Sequence, residues 1–305
     1  MSNGNFASRR VRFADICHAG LLWLATLGIA AAADGLSVKV VTTNESSLYA
    51  NCTIVMGERD MVLIDAPFTN ADAHRLVADL LETGKNLTYV YVTHDHPDHF
   101  WSMQVIMDAF PQAKVISHRE VVADIWRSIP FKIARWSPML GNNGPTYPTA
   151  PLPLAEDTFE LEGHVLRVLG PMQGDHYHAT AVHVPDIGLL VAGDIVFHGI
   201  HVWLGETTAQ KRQQWIANLN DLMKLEPATV VAGHKLPGLA DDVASLKFTR
   251  DYIVSFEQDA KAASDSSDLM ARTRARHPQV KDALGDFILT NSARVVMGED
   301  PPWEE

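Results

Sequence analysis

Tyr89-Val-Tyr-Val-Thr-His94-Asp-His96-Pro-Asp98-His99 runs from an apolar strand directly into three histidines and two aspartates within six residues. A short β-branched and aromatic run of this kind reads as a buried strand. A solvated polar loop gives no reason for so many imidazoles and carboxylates at the end of such a strand. His94 and His96 can aim at one point, and Asp98 and His99 can turn toward a second point nearby. Neutral imidazole with carboxylate is a donor set for zinc, manganese or iron.

Working outward, Ser37–Val41, Ala50–Met56 and Met61–Ile64 read as two or three strands, with a turn at Gly57-Glu-Arg-Asp60. Asn70–Leu81 reads as a helix capped by Asn70, and Leu87–Thr93 as the strand that carries the motif. The expected order continues with helix Trp101–Phe110, strand Ala113–Ser117 and helix His118–Ser128. Ile129–Asp157 holds six prolines and Gly141-Asn-Asn-Gly144, so it reads as a long irregular loop. Trp126, Phe131 and Trp136 in or beside it either wall an apolar pocket or pack over the core. Strands are expected again at Thr158–Leu161, His164–Leu169, Thr180–Val184, Gly188–Ala192 and Thr229–Ala232. Helices are expected at Thr208–Leu225 and Asp241–Ala262, with a mostly helical tail to about Val296. Strands with helices, twice over, suggest two α/β halves packed sheet against sheet.

Three further stretches keep company with the first. Met61-Val-Leu-Ile-Asp65, Leu189-Leu-Val-Ala-Gly193-Asp194 and Val230-Val-Ala-Gly233-His234 are each an apolar strand ending in a polar residue. Each alone is a weak signal. Together with His-x-His-x-Asp-His, in this order, they resemble the metallo-β-lactamase superfamily over about Val38 to Pro237. The resemblance implies an αββα sandwich with two mixed sheets, helices on the outer faces, and a two-metal site at one edge. It implies that His94 and His96 hold one ion, that Asp98, His99 and His234 hold the other, and that Asp194 bridges them. It also implies that Asp65 supports the site from behind. The implied cofactor is two divalent ions, zinc first, with manganese or iron as alternatives. Asp98 and Asp194 would orient a water shared by the ions and made acidic by them.

One ligand is open. The family takes a further histidine for the first ion from a turn before the next strand. Here that turn reads Gln173-Gly-Asp175-His176-Tyr-His178-Ala. Spacing from Pro185 favours Asp175 and ligand chemistry favours His176, with His178 a third choice. After Asp194, the stretch Ile195–Thr207 offers His198, His201 and Trp203 as substrate-pocket residues, with His198 or His201 as an acid for the leaving group. Zinc β-lactamases usually place Cys or Ser where this chain has Asp194. The resemblance therefore points to hydrolysis of a small ester, lactone or thioester, ahead of β-lactam hydrolysis. A metal-binding protein without turnover is the reading from another class.

The net charge is 25 − 37 = −12, which disfavours a nucleic acid or an anionic membrane as partner. A small molecule is the expected partner. Arg9, Arg10 and Arg12 precede an apolar run, Ala19–Ala33, that ends in alanines. This pattern fits a secretory leader over residues 1–33, ahead of a catalytic domain over 34–305. The run is short for a membrane span, which needs ~20 apolar residues. A periplasmic or secreted location is the expectation, with no stable membrane association after cleavage. Only Cys52 would then remain of the two cysteines, Cys17 and Cys52, so no internal disulfide is expected.

Overall fold

The computed structural model describes Met1 and residues 35–303. The expected leader and Cys17 lie outside the described residues. Among the described residues, no helix is long and apolar enough to cross a membrane.

The first half contains β1 (Ser37–Thr42), β2 (Asn51–Met56), β3 (Asp60–Ile64), α1 (Asn70–Glu82), β4 (Asn86–Val92), α2 (Met103–Ala109), β5 (Lys114–Ser117), α3 (Arg119–Leu140) and β6 (Leu152–Pro153). The second contains β7 (Thr158–Leu161), β8 (His164–Met172), β9 (Ala179–Val184), β10 (Leu189–Val191), β11 (Phe197–His198), α4 (Ala209–Met223), β12 (Thr229–Val231), β13 (His234–Lys235), α5 (Ala244–Ala262), α6 (Ser266–Arg276) and α7 (Phe287–Val296). One sheet runs β1-β2-β3-β4-β5-β6 and the other β12-β10-β9-β8-β7, while β11 pairs with β13.

Period-two alternation builds the layers. In β3, Met61 and Leu63 face α1 and α2, whereas Val62 and Ile64 face the second sheet. In β9, Val182 and Val184 face the first sheet, and Ala179 and Ala181 pack toward the helices of the second half. Three apolar cores thus separate helix, sheet, sheet and helix, which is the expected αββα sandwich. At one edge the sheets are stitched together. Thr180 donates to the Thr93 carbonyl from its N–H (3.0 Å) and its Oγ1 (2.6 Å), and the Tyr91 hydroxyl lies 2.8 Å from Thr180 Oγ1. The chain leaves β3, β4, β10 and β12 at this edge, so their following residues converge there.

The region after Ser128 differs from expectation. α3 continues through Pro130 and Pro138 to Leu140, so the irregular stretch is confined to the segment that follows. Each proline removes one backbone bond from the helix. Side chains hold the helix in compensation. Trp136 is buried, with its ring 5.4 Å from Phe68 and 5.9 Å from Phe287. Lys132 is 1% exposed and donates to Asp95 Oδ2 (2.9 Å) and Ser128 Oγ (2.6 Å). Trp126 and Phe131 project to solvent. At α1 the cap is Thr69, whose Oγ1 accepts from Asp72 N–H, and Asn70 is the first helical residue.

The Lys132–Asp95 pair fastens α3 to the histidine loop in a buried setting. Burial pushes the Asp95 carboxyl up, but Lys132 and His176 outweigh it and hold the group below its usual range. Removing one partner leaves the other's buried charge without its main counter-charge. Lys132→Met should therefore cost about 3–5 kcal/mol of stability by chemical denaturation, and adding Asp95→Asn should recover much of it. Equal stability of the single and double variants would contradict the clamp.

Candidate metal centre and substrate cleft

Asp65 leaves β3 with φ +64°, a conformation that non-glycine residues seldom adopt. Its carboxylate is fully occupied: Oδ1 accepts from Thr93 N–H (2.8 Å), and Oδ2 accepts from Thr93 Oγ1 (2.8 Å) and sits 2.9 Å from His99 Nδ1. Gly193 and Gly233 bring the second sheet's strand ends together. Gly233 N–H donates to the carbonyls of Gly193 (2.8 Å) and Val196 (2.9 Å). A Cβ on Gly233 would lie 1.9 Å from Asp194 Oδ1, and one on Gly193, at φ +49°, 2.7 Å from Thr93 Oγ1. The glycines before Asp194 and His234 are thus required by backbone approach.

Two groups of side chains result, each with ligand atoms within 4.8 Å of one another: His94, His96, Asp175 and Asp194 in one, Asp98, His99 and His234 in the other. Asp194 lies between them. Its Oδ2 is 2.9 Å from His234 Nε2 and 3.8 Å from His94 Nε2, and its Oδ1 is 3.1 Å from His99 Nε2. Asp98 Oδ2 lies 3.2 Å from His234 Nε2 and 3.8 Å from His99 Nε2.

Each of the four imidazoles turns one nitrogen outward to a fixed partner and the other inward. His94 Nδ1 meets Thr93 Oγ1 (3.0 Å), His99 Nδ1 meets Asp65, and His234 Nδ1 donates to the Leu48 carbonyl (2.8 Å). His96 has the opposite orientation: Nε2 meets Glu206 Oε1 (2.9 Å), and Nδ1 faces Asp175 Oδ2 (3.0 Å). Outward acceptors leave the inward nitrogens free to act as ligands. Of the buried inward atoms, His94 Nε2 lacks a hydrogen-bond partner, and Asp175 Oδ2 and Asp194 Oδ1 have close ring nitrogens, His96 Nδ1 and His99 Nε2, that do not meet them in hydrogen-bond geometry. Orphaned buried donors and acceptors need an explanation, and a divalent cation fits this donor set.

Burial and close carboxylates perturb the titration of these groups. Burial opposes charge on His96 and His99, but nearby carboxylates outweigh it and raise both well above the usual imidazole range. Burial and the neighbouring His99 lower the His94 pKa, which keeps its ring neutral. Burial also opposes charge on His234, but Asp194 and Asp98 raise it to about 10. Burial pushes Asp175 up to about 8, helped by Asp194 and opposed by His96. Burial acts the same way on Asp194, but His234, His99 and His94 outweigh it and hold the group well below the carboxylate range.

The turn before β9 brings Asp175, and not His176, into the first group. His176 N–H folds back onto Asp175 Oδ1 (2.6 Å), and the His176 ring points to Asp95 with Nε2 3.5 Å from Oδ1. His178 is held by Asp124 at 2.7 Å. His198 and His201 do not line the cleft either. Phe197 stacks on His234 (ring centroids 5.1 Å apart), so alternation turns His198 away, toward Phe248. His201 is buried with Nδ1 2.8 Å from the Tyr252 hydroxyl. Trp203 does line the cleft. Glu206, absent from the sequence expectations, lies beside it, and its Oε1 accepts from Trp203 Nε1 (3.1 Å) as well as contacting His96. His118 caps α3, its Nδ1 accepting from Glu120 N–H.

The family model of the metallo-beta-lactamase superfamily matches residues 47–234, more than half of the chain. The chain belongs to this superfamily. A metallo-beta-lactamase family protein from Thermus thermophilus has a similar structure, with TM-score 0.60 and 22% identity, over 86% of this chain and 93% of that one. A metallo-beta-lactamase from Pontibacter korlensis gives TM-score 0.54 and 18% identity, over 74% and 98%. At these identities the likeness is one of fold. Protein YobT of Bacillus subtilis (strain 168) is 35% identical over 71 residues, 23% of this chain and 30% of YobT. Superfamily membership and the two ligand groups together support a metal-dependent hydrolase.

Asp175→Ala should lower bound metal, whereas His176→Ala should leave it unchanged; the reverse order in metal analysis would exchange their roles. Protons compete with metal at Asp175 and His234, whose pKa values in the metal-free protein are raised to about 8 and about 10. Asp175 therefore destabilises the metal-free fold progressively from its unfolded pKa up to about pH 8. The stabilisation from His234 is complete below its unfolded pKa and lost as pH rises toward 10. Metal affinity should rise over the same range, with proton release visible in the buffer dependence of binding heat. Affinity that falls with pH would contradict these assignments.

Proposed function

We propose that this protein hydrolyses an uncharged carboxylic ester, lactone or thioester. The observation that carries this reading is the cleft above the two ligand groups. It encloses about 520 Å³, counting its open mouth, and none of its described lining residues is Lys or Arg. Phosphodiesters and β-lactam antibiotics carry a negative charge, and outside the ligand groups themselves this lining offers no lysine or arginine to hold it. The bridging position also bears Asp194 rather than Cys or Ser, which favours an ester-type substrate over a lactam.

Two divalent ions fit the ligand groups, zinc first and manganese or iron as alternatives. His94, His96, Asp175 and Asp194 would hold one, and Asp98, His99, His234 and Asp194 the other. Bound there, they supply Lewis acidity and lower the pKa of a water molecule to near neutrality. The protein's own groups orient the reaction. Asp98 faces the cleft, and despite its burial His99 and His234 keep its carboxyl ionised. It accepts a proton from the attacking water and returns one to the leaving oxygen or sulfur. Glu206 fixes the ring of His96, and the aromatic walls limit water access. An exported, periplasmic or secreted enzyme is part of the same proposal, resting on the basic and apolar residues of the first 33 positions.

A panel of neutral esters, lactones and thioesters, with nitrocefin and a phosphodiester beside it, tests the reading. Chelator-sensitive turnover of the neutral carbonyl substrates is expected, with Asp98→Asn lowering kcat about 10²–10⁴-fold. Turnover confined to nitrocefin or the phosphodiester would refute the substrate class.

A further inference from the structure

Residues beyond the superfamily match supply one wall of the cleft. Phe287 and Ile288 of α7 and Trp303 of the tail line it together with Phe68, Trp136 and Trp203. The aromatic rings form one continuous surface. Trp203 stacks on Phe287 with centroids 5.6 Å apart and planes 3° from parallel. Trp303 meets both edge-on, at 5.1 Å and 5.4 Å. Trp136 joins Phe287 to Phe68 through edge contacts.

The wall is braced from several sides. Trp303 N–H donates to the Gly205 carbonyl (2.9 Å), which ties the tail to the loop that carries Trp203 and Glu206. Leu204 N–H donates to Ser292 Oγ of α7 (2.9 Å). The Arg135 guanidinium of α3 sits 4.1 Å from the Trp303 ring centroid. Glu206 fixes the Trp203 ring from below through its Nε1. Across the cleft stand His96, Asp98, Asp175, Asp194 and His234. The cleft is therefore bipolar, with imidazoles and carboxylates at one end and a preformed aromatic face at the other.

We infer that this face, completed by Phe287 and Trp303, is the specificity subsite, and that it takes an aryl or arylalkyl group attached to the scissile carbonyl. This rests on the hydrolase reading for the position of that carbonyl. A preformed aromatic wall gains from burying apolar area and from ring contacts. A sugar or a polar amino-acid side chain would lose more hydration at this largely apolar wall than an aryl group does.

The test has two arms, so that the subsite and the reaction fail separately. In the first, 4-phenylbutan-2-one, a neutral ketone without a leaving group, is titrated into the full chain by calorimetry, with no turnover required. Saturable binding is expected, weakened tenfold or more by Trp303→Ala and by Phe287→Ala, and unchanged by Trp126→Ala, which lies on the exposed face of α3. Trp303→Leu and circular dichroism guard against a folding defect. In the second, methyl esters from acetate to 4-phenylbutyrate are compared. The kcat/KM should rise along the series, about fourfold per methylene buried, with the Trp303 and Phe287 variants shrinking the phenylbutyrate-to-acetate ratio at least tenfold. Ketone binding lost in the Trp303 variants, with every ester inert, upholds the subsite and removes the hydrolase reading. Absent ketone binding, binding indifferent to Trp303 and Phe287, or a flat ester series in an active enzyme overturns the subsite.

Discussion

Asp98, Asp175 and Asp194 are buried at one edge of an apolar sandwich, Asp175 in one ligand group with Asp194 and Asp98 on the same His234 ring as Asp194, and much of the remaining structure answers that constraint. Unpaired carboxylates in such a place would be costly enough to unfold a domain of ordinary stability. Imidazoles surround them, and each ring is oriented by a group behind it: Thr93, Asp65, the Leu48 carbonyl or Glu206. The Lys132–Asp95 pair fastens the histidine loop to α3, and the close approach of Gly193 and Gly233 sets the spacing from below. The orphaned inward atoms show that protein groups alone do not complete the balance.

The same arrangement separates chemistry from recognition. Strand ends of the sandwich, which the family match covers, deliver the ligands. Recognition is assembled from α3, the loop after β11, α7 and the tail. Helices added at the C-terminal end can thus change what fits the cleft without disturbing the strand ends. Glu206 is where the two parts meet, since one oxygen contacts both His96 and Trp203.

The sandwich and most of the residues that meet in the two candidate ligand groups were legible in the sequence because their signals are local. An apolar strand followed by His-x-His-x-Asp-His, Gly-Asp or Gly-His states both the element and its functional end. Contacts between distant segments were not legible. Glu206 approaches His96 across 110 positions, and nothing near Glu206 marks it. Asp175 and His176 are adjacent, so only the folding of the turn decides which faces inward. His198 and His201 sit close to Asp194 in sequence, yet alternation along β11 turns His198 outward, and His201 is buried against the Tyr252 hydroxyl of α5. Proline content suggested a loop where α3 runs on, because buried anchors at Lys132 and Trp136 override the local cost of Pro130 and Pro138.

The most direct measurement is the anomalous scattering of crystals grown with zinc. Two peaks about 3.5–4 Å apart are predicted, with Asp194 between them and Asp175 on the ion held by His94 and His96. A single peak, or ions placed away from Asp194 and Asp175, would contradict the dinuclear centre.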